Sequence, residues 1–215
     1  MTFQRARRPE HKRQRYEAIL TAARELAVRD GVRSVSLADI ASAVGMHKSA
    51  LLRYFESREE VYLRLAADDW HEWVHAMRAE LASVPPGSVS GVASAFARTL
   101  AERPLLCDLF THAPLNLERN VSLETLRTFK HAALGSAGEI GKALLEVLPA
   151  LGQDGAFDLV ASVGMIAAGL WQLHHPTETL LELYAEEPEL GHESVPFVPT
   201  LTRMAETIIR GVLAR

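Results

Sequence analysis

Residues 36–62 read SLADIASAVGMHKSALLRYFESREEVY. Ser36 stands just before an apolar run with Asp39 three positions on. Such a pair caps a helix start, because the serine oxygen takes an orphan amide and the acid reaches back. The spacing predicts a helix over 37–44, ended by Gly45, then a turn at Met46 and His47 and a second helix over 48–54. Ser57 and Glu60 form an S-x-x-E capping box ahead of a long helix over 58–82. Two short helices joined by a glycine-containing turn make a helix-turn-helix. A short second helix held at an angle by the first reaches into the major groove, which is wide enough for one helix. Leu37, Ile40, Ala41, Val44, Leu51 and Phe55 supply a compact core and leave Lys48, Ser49, Arg53 and Tyr54 as donors. A generic helical hairpin is the alternative for this stretch alone.

Upstream, Tyr16, Ile19, Leu20, Ala23, Leu26 and Ala27 line one face of a first helix that Gly31 stops. Downstream, apolar residues keep recurring every three to four positions and no strand pattern appears, so the fold class is all-α. SVPPGSVS breaks the chain, and helices follow over 88–101, 103–112, 119–148, 155–174, 177–185 and 200–213. The stretch 156–171 is apolar nearly all round, which demands burial on more than one side, and Ala161, Gly164, Ala168 and Gly169 allow close approach. Leu201, Met204, Ala205, Ile208 and Val212 form a second stripe. Pairing of these two helices with a second copy would bury both; completing one subunit's core is the alternative.

With 215 residues, 48% hydrophobic and 23% charged, the chain has the composition of a soluble globular protein. Charges occupy the N-terminus where an export signal needs an apolar run, and Leu159–Trp171, 13 residues, is shorter than the ~20 of a membrane span. One cysteine builds no disulfide framework, which suits the cytoplasm. The net charge of −4 argues against a strong polyanion binder, but its distribution does not. Residues 1–60 hold 12 Lys/Arg against 8 Asp/Glu, and residues 61–215 hold 11 against 19. A basic head on an acidic body is expected where one end meets a polyanion.

ILTAARELAVRDG, SLADIASAVG and ALLRYFESREEVY together, over residues 16–62, resemble the DNA-binding domain of the tetracycline-repressor (TetR) family of transcriptional regulators. The resemblance implies a helix-turn-helix domain over residues 1–60 with a basic arm, and a helical effector-binding and dimerisation domain over 61–215. It also implies phosphate contacts from Ser36 and Arg58, base or phosphate contacts from Lys48, Ser49 and Arg53, and a backbone contact from Tyr54. Two positions depart from the family pattern: His47 replaces the usual serine, a better cap, and Leu52 replaces the usual tyrosine. Arg5, Arg7 and Arg8 would form the arm along the backbone or in the minor groove. The implied protein is a cytoplasmic homodimer on a near-palindromic operator, a repressor released by a small, apolar effector, without cofactor, catalysis or membrane attachment.

Other patterns compete with that reading. HEWVH at 71–75 matches the H-E-x-x-H of zinc peptidases, so a zinc-dependent hydrolase is one alternative and a helical protein–protein adaptor another. Helical spacing puts Trp70, Trp73 and Met77 on one side of the long helix and His71 and His75 on a solvated, mixed-charge side with Arg64, Asp68 and Arg78. With Phe96, Phe110, Phe129, Met165 and Trp171, the first three are candidates to line an effector pocket. Cys107 in an apolar helix reads as core filler, even with His112 five residues on. GSAGEIGKA at 135–143 fails the phosphate-loop spacing, and its three glycines read as close helix packing; His174 and His175 are a weak metal pair.

Overall fold

The computed structural model describes residues 3–191 and 195–214, with side chains from residue 10 onward, so the side chains of Arg5, Arg7 and Arg8 lie outside the described residues. Two compact units form. One comprises residues 1–68 and 112–130, the other 69–111 and 131–215.

The first unit is built on α1 (Phe3–Asp30), α2 (Leu37–Ala43), α3 (Lys48–Leu51) and the first half of α4 (Arg58–Leu81). Gly31 and Gly45 adopt φ of +80° and +65°, the left-handed conformation that turns the chain after α1 and α2. Ser36 caps α2 as its spacing predicts: Asp39 N donates to Ser36 Oγ at 3.2 Å, and Ser36 N donates to Asp39 Oδ2 at 2.8 Å. The cap of α4 differs. Ser57 Oγ accepts the Glu60 amide, but the Glu60 carboxylate takes the amide of Glu56, one residue beyond the predicted box. Ile19, Ala23, Leu37, Ile40, Ala41, Leu51, Phe55 and Val61 fill the centre, and Tyr16 stacks on Phe55 at 4.7 Å.

The second unit holds the rest of α4, α5 (Val89–Ala101), most of α6 (Pro104–Leu115), most of α7 (Leu123–Val147), α8 (Gly152–Leu173), α9 (Glu178–Glu186) and α10 (Phe197–Leu213). Helix α6 runs through Pro114, beyond its predicted end at 112. Helix α10 packs on α5 and α8. The close approach that α8 needs falls at Gly155, where an added Cβ would stand 2.6 Å from Val212, rather than at Gly164 or Gly169. Of the three glycines at 135–143, only Gly141 faces a neighbouring helix side chain, Ala156; Gly135 and Gly138 open on empty space. The helical segment around the 13-residue apolar run is longer than that run. Pro149–Leu173 passes a membrane-span test by length and composition, while nine residues of α8 are buried in this unit's core.

Candidate nucleic-acid interface

Helix α3 is pinned by a single fully buried side chain, Leu51, with Phe55 buried just beyond it. That anchoring fixes which way the rest of the helix faces. His47, Lys48, Ser49, Leu52 and Arg53 are exposed, and Tyr54 is half-buried. Among the described residues neither Lys48 nor Arg53 has an ion-pair partner, so two cations stand available on one short surface. His47 occupies the N-cap without a side-chain hydrogen bond, as expected of an imidazole in a serine's place. Leu52, 46% exposed, presents an apolar side chain beside those donors.

Ser36 is exposed, with its hydroxyl engaged by Asp39: Oγ donates to Asp39 Oδ2 at 2.6 Å. That hydrogen bond, with the one from the Ser36 amide, holds the Asp39 carboxyl below its ordinary range. Arg58 faces inward. Its guanidinium donates to the carbonyls of Val32 and Val35, lies 3.2 Å from Glu59 Oε1 and stacks over the Tyr62 ring at 4.9 Å. Those contacts tie the α1–α2 turn to the start of α4. Sequence spacing did not reveal that Tyr54 shares a surface cleft with His11, Lys12, Gln14 and Arg15 of α1, bringing further cations beside the recognition helix. The basic composition of residues 11–15 was the available signal; helix phase alone did not tie it to Tyr54.

The eight candidate pocket residues differ in their surroundings. Trp73, Met77 and Phe96 are completely buried, and Trp73 and Phe96 form a packed aromatic cluster with Trp70 and Phe110, ring centroids 5.0–6.1 Å apart. Trp73 Nε1 donates to Thr99 Oγ1 at 3.0 Å, so the indole is a satisfied core residue. Trp171 stacks on His175 at 3.9 Å, and Met165 is 69% exposed. Phe129 belongs to the first unit, where it lines a cavity of about 190 Å³ with Tyr16, Glu60, Leu63 and Arg64. Hydrophobicity alone selects core and pocket residues alike, which is why the eight range from fully buried to exposed.

His71 and His75 are exposed, as the helical spacing predicts. They line a groove of about 410 Å³ against α7, together with His131, Arg78, Ser136 and Gly135. His71 Nδ1 lies in hydrogen-bond contact with Ser136 Oγ at 3.2 Å. Among the described residues no three His, Cys, Asp or Glu side chains are arranged to hold a metal ion. Cys107 is fully buried, and desolvation, followed by the nearby Asp108 charge, pushes its thiol up to about 12.

A core-pinned short helix presenting unpaired cations beside a basic cleft defines a helix-turn-helix DNA-binding regulator. Comparison with known families narrows this. The family model of bacterial regulatory proteins of the tetR family matches residues 19–65, and that of the tetracyclin repressor-like C-terminal domain matches residues 67–215. The chain belongs to the tetracycline-repressor family of transcriptional regulators. No curated protein sequence matches it. Solved structures share the fold. A regulatory protein of the tetR family from Rhodococcus RHA1 superimposes with a TM-score of 0.53 at 14% identity, covering 92% of this chain and 96% of that one. FadR of Thermus thermophilus, a TetR-family transcriptional repressor in complex with lauroyl-CoA, gives 0.55 at 17% identity, covering 92% and 93%. The fatty acid degradation regulator FadR of Bacillus halodurans gives 0.51 at 13% identity, covering 92% and 94%.

Proposed function

We propose that this regulator is a cytoplasmic, non-enzymatic repressor that binds a near-palindromic operator as a homodimer and is released by a small effector with apolar character. The exposed, unpaired Lys48 and Arg53 on a helix pinned by Leu51 carry the reading. Residues 1–60 serve as the DNA-binding domain and residues 61–215 as the effector-binding and dimerisation domain. Lys48, Ser49 and Arg53 approach base edges or phosphates, with His47 at the entrance of the helix. Tyr54 reaches the backbone together with Lys12 and Arg15. Ser36 presents its capped hydroxyl to a phosphate, and Arg58 acts as a brace that sets the angle of the head.

Two recognition helices in a dimer sit about 34–36 Å apart, one DNA turn. An effector that favours a different spacing by about 1–3 kcal/mol changes operator affinity roughly 5- to 150-fold. Helix α4 supports such coupling, because it begins in one compact unit and ends in the other. The Thermus neighbour bound to lauroyl-CoA makes an acyl group one candidate effector.

The test is selection of bound duplex fragments followed by gel shift. Arg53→Ala and Lys48→Ala are expected to abolish or relax operator binding with the dimer intact, and each to lower the salt dependence by roughly one phosphate's worth. Binding by both variants at the parent's affinity would remove α3 from the groove.

A further inference from the structure

The groove between α4 and α7 has no part in the DNA-binding reading, and among the described residues no three metal-ligating side chains gather in it. Its chemistry is nevertheless specific. His71, His75 and Arg78 of α4 face His131 and Ser136 of α7, so donors reach it from both walls. The one carboxylate on its edge, Glu139, is engaged by Lys142 at 2.6 Å and lies 3.4 Å from Arg78, so a bound anion shares the Arg78 guanidinium with it. The Ser136 hydroxyl, on a residue only 2% exposed, holds the His71 ring at 3.2 Å. Val74, Ala132 and Gly135 complete the walls with apolar surface. At about 410 Å³ the space falls within the usual range for small-molecule sites, roughly 300–1,000 Å³.

Gly135 supplies an independent observation. It lies mid-helix in α7 without a positive φ, and a Cβ there would meet nothing within 4 Å. Neither a turn nor close packing requires a glycine at a position where alanine favours helix by about 1 kcal/mol. Its missing side chain adds to the open space along this wall of the groove.

We propose that this groove receives the carboxylate of a small amphipathic acid, the imidazoles, Ser136 and Arg78 meeting the anion while the apolar walls take its body. The inference deepens the reading of the chain as an effector-responsive regulator and rests on it for the consequence of binding. Imidazole and hydroxyl donors with one guanidinium suit a single carboxylate, since a more highly charged group would need more than one permanent cation.

The test uses the full chain without DNA, so that failure here leaves the operator assignment standing, and loss of operator binding in the α3 variants leaves the groove standing. Decanoate and phenylacetate, each beside its neutral amide, are titrated calorimetrically. Saturable binding is expected for at least one acid, tighter than its amide by tenfold or more. Gly135→Leu, which fills the groove, is expected to eliminate it, and His131→Ala, a surface change, to weaken it severalfold; circular dichroism confirms that both variants fold. Absence of saturable binding by either acid, equal binding of acid and amide, or parental affinity in both variants overturns the proposal.

Discussion

The guanidinium of Arg58 bridges the carbonyls of Val32 and Val35 and is only 18% exposed. Its removal takes away the guanidinium hydrogen bonds to both carbonyls, and hydrogen bonds from charged groups are worth about 1.5–3 kcal/mol each. Arg58→Ala is therefore expected to destabilise the head by roughly 2 kcal/mol or more, seen in denaturant unfolding. Arg58→Lys should not restore it, because one ammonium cannot reproduce the planar fork. Parental stability in Arg58→Ala would return this residue to the phosphate-contacting set that its family position implies. Cys107 gives a second residue-scale expectation. With its thiol near 12, almost none is thiolate at pH 8, and the thiolate is the reactive form. Thiol reagents should leave the native protein unmodified and label it fully in denaturant; rapid labelling of native protein would contradict the burial.

At the scale of elements, the four-residue helix α3 cannot hold itself, since isolated helices are marginal below about 12–15 residues. Leu51→Ala should cost about 2–5 kcal/mol, the range for emptying a buried leucine site, and abolish DNA binding through loss of the helix. The segment after α3 has a second attachment. Glu56 Oε1 accepts the Ser122 amide at 2.7 Å, just before α7 begins, and this hydrogen bond chiefly holds the Glu56 carboxyl below its ordinary value. Because the folded value lies below the unfolded one, the stabilisation is present above the ordinary glutamate value of about 4.3 and is lost as pH falls through the depressed value. The parent's unfolding midpoint should therefore drop between pH 5 and 3 more steeply than that of Glu56→Gln, by about a degree or so; parallel curves would show that the cap does not form. The Glu56–Ser122 attachment is not legible in the sequence, whereas the head is. Ser36–Asp39, Gly45 and the apolar spacing of Leu37, Ile40 and Leu51 act within a few residues, so the head could be read directly from sequence. The Glu56–Ser122 pair is 66 positions apart, and the groove beside His71 depends on how α7 lies against α4. Periodicity assigns a face to a helix without saying what covers it.

At the scale of the whole molecule, operator binding requires two heads at a fixed spacing, so something must join two copies. TetR-family regulators usually act as dimers, and the proposed pairing surface is the exposed apolar stripe of α8. Phe157 and Met165 are 53% and 69% exposed, with Ala161 and Gly169 exposed at the intervening four-residue steps and Leu173 at 60% beyond. A continuous apolar stripe of this length is costly to leave in water and marks an association surface. A two-fold pairing would set the stripe against itself, with the half-buried Met204, Ile208 and Val212 of α10 offering a second apolar surface for the same contact. Met165→Asp would place two carboxylates near the axis without touching the core of either copy. Sedimentation velocity should then show monomers at concentrations where the parent is dimeric, with the helical circular dichroism unchanged. Operator affinity should fall far more than either single recognition-helix variant explains, because each head then binds a half-site alone. A dimer of undiminished stability in Met165→Asp would move the interface off α8 and leave its exposed methionine without an explanation.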